Sequence, residues 1–242
     1  MWKDICWKET LEHEGEPLLD LSITLPAPPE DCRSLRRAGR YYAKMAEVWK
    51  DRWRSILFPR ARMALEEARA GSRPFQRWEA ELSYRITLES EGIISILVDA
   101  VERRGGQLPL MVRHADTWDR KTGLPRFLSS LFPAGARWRR PLETELRRQA
   151  VQRLESGEFL LFSDAEAKIS TLFSPDRFYL SGGDLVLFYP MCSLGSPAEG
   201  VVSFSVPLSD FTSQLPRRKK KKGERKENPT PDKNSSLQQK TE

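Results

Sequence analysis

Histidine and cysteine are scarce in this chain: two histidines and three cysteines among 242 residues. Cys6, Cys32 and Cys192 are an odd number without paired or metal-type spacing. They exclude a disulfide scaffold and read as reduced thiols, which places the chain in the cytoplasm. No run approaches the roughly 18–20 uninterrupted apolar residues that a bilayer span needs. Met1 to Glu9 carries charges every few positions and no apolar core follows, so it does not read as a secretory signal. There is no phosphate-cradling glycine loop, no dinucleotide fingerprint after a strand and no G-x-S-x-G elbow. From these absences the chain reads as non-enzymatic, with no catalytic residue, no metal ligand set and no cofactor assigned.

What is present is a polar but globular composition. Apolar residues make up 39% and charged residues 31%, which suffices for one large domain or two small ones. The charge is unevenly placed. Residues 217–242 hold ten of the 40 Lys and Arg and four of the 34 Asp and Glu, a net +6. The preceding residues hold thirty of each and are neutral. The excess cation thus belongs to a tail, read as disordered over 213–242.

Residues 1–17 read as a loose, charged leader. Leu19, Leu21, Ile23 and Leu25 alternate with polar residues, a half-buried strand that the prolines at 26, 28 and 29 stop. Leu35, Ala38, Tyr42, Met45, Trp49, Trp53 and Ile56 recur at spacings of three and four, the apolar stripe of a helix over 33–57 about 37 Å long. Pro59 must end or kink it, with a short segment on to Ala70. Ala80 to Leu88, Ile93 to Val101 and Leu110 to Trp118 form a three-stranded antiparallel meander. The second half, 122–212, has a helix over 137–156, a capping-box-like Ser163-Asp164-Ala165-Glu166, and a hairpin turning at Ser181-Gly182-Gly183-Asp184. A last strand carries Val202, Phe204 and Val206. The fold class is α+β: an antiparallel sheet, meander plus hairpin, with long helices on one side. The 18–121 and 122–212 halves can share one core.

The second half resembles a bacterial module. It is found as the extracytoplasmic domain of the lysozyme-sensing anti-sigma-V factor (RsiV) and ahead of the catalytic domain in the peptidoglycan deacetylase PdaC. The residues that carry the resemblance are Thr122-Gly123-Leu124-Pro125 leading to Leu131-Phe132, Phe178-Tyr179-Leu180, Asp184 to Pro190, Glu199-Gly200 and Val206 to Phe211. Coverage is about 18–212. Gly105-Gly106 stands where that family carries a glycine-glycine-alanine-histidine turn, but His114 follows eight residues later. The loop after Tyr189 lacks the family's further aromatic and acidic residues. The resemblance implies a recognition module that binds a protein or a cell-wall-related ligand. The hairpin loop, with Tyr189, Pro190, Met191, Ser193 and Leu194, is the candidate partner-binding surface, because loops tolerate exposure and carry recognition.

Three other features carry chemistry. His114, Asp116 and Asp119 form H-x-D-x-x-D; on a strand the first two share a face, as a base and its orienting carboxylate must. The other histidine, His13, lies in the leader, and a structural cluster is favoured. Trp118 and Trp138 sit near element ends, where packing outweighs stacking on a sugar. Arg217, Arg218, Lys219, Lys220, Lys221 and Lys222 form a cation run that can meet phosphates or anionic lipid in a salt-sensitive way. The alternative function is therefore a nucleic-acid-associated protein acting through this tail.

Overall fold

The computed structural model describes residues 2–30 and 32–215. The Arg217–Lys222 run and the tail beyond Leu215 lie outside the described residues.

The chain is α+β and, among the described residues, holds two sheets. The larger has five strands in the order β1 (Lys3–His13), β2 (Glu16–Ala27), β3 (Trp78–Glu89), β4 (Ile93–Arg103) and β5 (Leu110–Asp119). All neighbours run antiparallel except β2 and β3, which are parallel and so need a long crossover. That crossover is α1 (Arg36–Arg52), a five-residue π turn (Trp53–Leu57) and α2 (Phe58–Ala70). The smaller sheet is β6 (Phe178–Ser181), β7 (Asp184–Tyr189) and β8 (Val202–Pro207), all antiparallel. Helices α3 (Arg139–Ser156), α4 (Ala165–Leu172) and α5 (Leu208–Gln214) complete the second half.

Side-chain parity fixes the layering. Ile94, Ile96 and Val98 of β4 join Leu21 and Ile23 of β2 and Leu82 of β3 beneath Ala38, Tyr42, Ala46 and Trp53 of the crossover helix. The alternate residues of the same sheet face the other way: Leu97 and Ala115 meet Phe188 and Tyr179 of the small sheet. On β7, Leu185, Leu187 and Tyr189 point away from that junction into a second core with Leu142, Leu146, Ala150 and Ile169. The order is helices, large sheet, small sheet, helices, with each sheet covered by helices on one side. This explains the unbroken apolar run Leu185–Tyr189 in β7 and the apolar residues on both faces of β4: both strands are buried on both faces. At the junction Ser95 Oγ lies 3.0 Å from Thr117 Oγ1 and accepts the Leu180 N–H at 3.0 Å, so these buried polar groups are satisfied.

The leader expectation over 1–17 is corrected. Residues 3–13 are a full edge strand, paired with β2 along their length. Its apolar alternation of Ile5, Trp7 and Leu11 is interrupted by Glu9, which pairs with Arg54 of the π turn at 2.7 Å. Trp7 lies beneath the cations of Lys50 and Arg54. Residues Glu14 and Gly15 form a two-residue hairpin with φ of 55° and 79°, the backbone such turns require.

Pro59 does not end the helical path. The wide π turn precedes it, Pro59 sits in the first turn of α2, and the missing amide and ring clash are absorbed there. The α4 helix begins as expected, but no side-chain cap is formed: Asp164 pairs with Lys168 at 2.9 Å instead. Helix α5 was not anticipated, and it carries ordered chain past 212 to Leu215, which packs in the second core.

Candidate functional site

The site is built where the helical cover of the large sheet runs out. β5 is the far strand, and its even-numbered residues face α1. Val112, His114, Asp116 and Trp118 therefore line up along one strand, 112 and 114 toward the open end and 118 beneath the helix. α1 supplies Tyr41 and Tyr42 from the opposite wall. The Trp118 indole N–H donates to the Tyr42 hydroxyl at 3.0 Å, and Tyr42 in turn donates to Asp116 Oδ2 at 3.2 Å. The same carboxylate oxygen lies 3.1 Å from His114 Nε2, and the Tyr41 hydroxyl lies 2.6 Å from that nitrogen.

Asp116 is the hub of this chain of contacts, and the electrostatics follow from it. Its hydrogen bond and charge hold the His114 pKa above the usual 6.5, against the opposing effect of burial. Burial, followed by the nearby Asp116 charge, pushes the Tyr41 phenol far upward, and Tyr42 likewise. The cluster thus favours an imidazolium paired with a carboxylate, flanked by two neutral phenols. A tyrosinate nucleophile is disfavoured here, and the His114–Asp116 pair is the polar rim of the cluster.

Beside His114 lies a pocket of about 230 Å³, walled by Met45, Trp49, Leu82, Val98, Ala100 and Val112. Its volume is below the roughly 300–1,000 Å³ of sites for drug-sized ligands. It is suited to a single apolar side chain. Next to it the start of β5 and the residues before it expose apolar surface: Leu108 is 59% exposed, Leu110 42% and Val112 56%.

The H-x-D-x-x-D residues divide. His114 and Asp116 come together as strand geometry requires, whereas Asp119 faces away. It accepts the N–H groups of Lys121 and Thr122 at 3.0 and 2.9 Å and pairs with Arg126 at 2.5 Å. The Thr122 amide first, then Arg126, pull its pKa down to about 2. Its work is to fold the loop back after β5. Among the described residues no group of three or more His, Cys, Asp and Glu is arranged to hold a metal. His13 ends β1, far along the chain from this cluster.

The hairpin loop divides as well. Tyr189 is 2% exposed and donates its hydroxyl to the Ile169 carbonyl; Leu194 is fully buried. Both are core residues, so the five-residue candidate surface is corrected: they cannot touch a partner without unfolding. The remaining three form a tight turn. Ser193 Oγ donates to the Pro190 carbonyl, Cys192 takes a φ of 64°, and Pro190 is exposed. Met191 reaches across to β5, where its sulfur accepts the Met111 N–H at 3.4 Å. The turn therefore abuts the start of β5 at Met111.

Both tryptophans in question pack. Trp118 is buried, and Trp138 stacks on Phe132 with ring centres 5.0 Å apart. A wider groove of about 620 Å³ runs between α3, β8 and α5, lined by Arg140, Glu145, Val206 and Phe211 among others. None of the sequence-predicted site residues lines it. Tyr41 was missed because nothing in the sequence ties it to His114, 73 positions away.

A pair of sheets packed between helices is an architecture already seen in bacterial proteins. The chain is similar to a crystallised DUF3298 family member from Bacteroides fragilis, with 15% identity and a TM-score of 0.58. It is also similar to a DUF3298 family protein from Pseudomonas aeruginosa PAO1, with 13% identity and a TM-score of 0.59. Each comparison covers 89% of this chain and 93% of the other. At such identities the likeness establishes a common fold. No family model and no curated protein matches the chain.

Proposed function

We propose that the chain is a non-catalytic recognition module whose partner is a protein. The partner is met on the surface formed by Leu108, Leu110 and Val112 together with the Pro190–Ser193 turn. The observation that carries this is the exposed apolar surface at the start of β5, beside a pocket of one side chain's size with the His114 imidazole on its rim. Exposed apolar surface rimmed by polar groups is costly to maintain and marks sites of association. A partner would seat one apolar side chain against Trp49 and Val112 and offer an acceptor to His114. The resemblance to the RsiV and PdaC module supports the same reading and extends it to a protein or ligand related to the cell wall.

The test is quantitative affinity capture with three forms of the full chain: wild type, Leu110→Ser with Val112→Ser, and Pro190→Gly with Met191→Ser. A partner held by wild type and lost from both variants, in the presence of nuclease, is the expected result. Equal recovery by all three contradicts the proposal. Nuclease-sensitive recovery that follows only the Arg217–Lys222 run favours the nucleic-acid alternative.

A further inference from the structure

The helical crossover carries a surface that the recognition site does not use. Residues 33–64 contain ten Lys and Arg and two acids, Glu47 and Asp51, a net +8. Residues 1–216 are neutral overall, with thirty charges of each sign. Charge is therefore segregated within the folded part, and the helical layer is its cationic side.

The arrangement along the outer ridge is more specific than the net charge. Arg40, Lys44, Val48, Arg52, Ile56, Arg60 and Met63 follow one another at steps of four, four, four, four, four and three, and every one is exposed. A line of fourth residues drifts around an ordinary helix of 3.6 residues per turn. The π turn at Trp53–Leu57 is wider and takes up part of that drift, keeping the two ends on one side. The ridge thus alternates cations with large aliphatic side chains: Val48 is 53% exposed, Ile56 41% and Met63 59%. Successive aliphatics are about two turns, or roughly 11 Å, apart. Among the described residues Arg40, Lys44 and Arg60 make no ion pair, whereas Lys50, Arg52 and Arg54 are paired to Glu47, Glu102 and Glu9. No helix among the described residues is long and apolar enough to cross a membrane.

We infer that this ridge docks the protein onto an anionic lipid bilayer, lying in the plane of the surface. Cations alone would serve any polyanion. Phosphate backbones gain nothing from Val48, Ile56 and Met63, whereas the headgroup boundary takes up aliphatic side chains and rewards them. A Lys or Arg near such a surface contributes roughly fivefold in partitioning. Three unpaired cations and three aliphatics along about 35 Å of helix give a reversible, salt-sensitive attachment.

The test is co-sedimentation of the full chain with phosphatidylcholine vesicles, with and without about 30% phosphatidylglycerol as an anionic component. Two exposed-surface variants are compared with wild type: Arg40→Gln/Lys44→Gln/Arg60→Gln, and Val48→Ser/Ile56→Ser/Met63→Ser. Each is made with and without neutralisation of Arg217–Lys222 to Gln, which separates ridge from tail, and circular dichroism checks that each is folded. The expected result is binding to anionic vesicles only, weakened more than tenfold by the charge variant and several-fold by the aliphatic variant in both tail backgrounds. Binding that follows the tail alone overturns the inference. So does binding to single-stranded RNA that matches the vesicle binding and ignores the aliphatic variant, which would assign the ridge to nucleic acid.

Discussion

The two halves of the molecule spend their aromatic and polar residues differently. In the small-sheet half, β7 is closed on both faces, and Tyr189, Phe204, Leu187 and Leu194 are consumed by packing. In the large-sheet half, the helix covers β2, β3 and β4 but reaches β5 only toward Trp118, leaving Leu110 and Val112 exposed. There Tyr41, Tyr42, His114, Asp116 and Trp118 build a polar chain that runs from the core out to the exposed edge. The difference teaches where function can sit. A loop drawn from a closed half is anchored by core residues such as Tyr189 and Leu194 and keeps only its Pro190–Ser193 turn outside, while an under-covered strand leaves whole side chains exposed.

The largest expected effect tests closure. Phe204→Ala empties a fully buried site between α3 and β7, and we expect a loss of about 4 kcal/mol. Val112→Ser on the open strand should change stability by less than about 0.5 kcal/mol. Urea denaturation of both, with similar costs for each, would erase the contrast between halves. Next is the joint between the meander and α1. Gly123 has φ of 68°, and a Cβ there would stand 1.8 Å from the Ser34 carbonyl oxygen. Gly123→Ala should therefore cost about 3 kcal/mol, and a thermal melt within a degree of wild type would show that the joint is slack. Tyr42→Phe removes a hydroxyl that serves Trp118 and Asp116 together, and should cost about 1.5 kcal/mol by the same denaturation assay. A neutral outcome would mean the polar chain is not stabilising.

The smallest effect concerns pH. The folded His114 pKa is raised, so its pairing with Asp116 adds stability that is complete below the usual 6.5 and is lost as pH rises through the folded value. Because His114 is nearly half exposed the gain is small, and the titration itself is the better readout. Histidine resonances in NMR should give a midpoint above 6.5 in the wild type, and Asp116→Asn should bring it back toward that value. A wild-type midpoint at or below 6.5 would remove the ion pair from the account.

Much of the architecture is legible in the residues themselves. The stripe from Leu35 to Trp53, the alternation of β3, the double-sided runs of β4 and β7 and the Gly182-Gly183 turn each carry a local period or turn chemistry. β1 is not legible, because Glu9 occupies a buried-face position that Arg54 neutralises from 45 residues away. The fate of Tyr189 and Leu194 is not legible either, since only the placement of α3 and α4 decides which side of the loop is covered. For the same reason the His114–Asp116 pair is readable from strand spacing, while its completion by Tyr41 is a product of tertiary packing.

Photo-crosslinking decides the central claim most directly. A benzophenone side chain placed at Val112 is compared with one placed at Phe162, an exposed residue of the closed half. The account predicts that position 112 captures a discrete protein and that position 162 does not. Capture from 162, with none from 112, would contradict it.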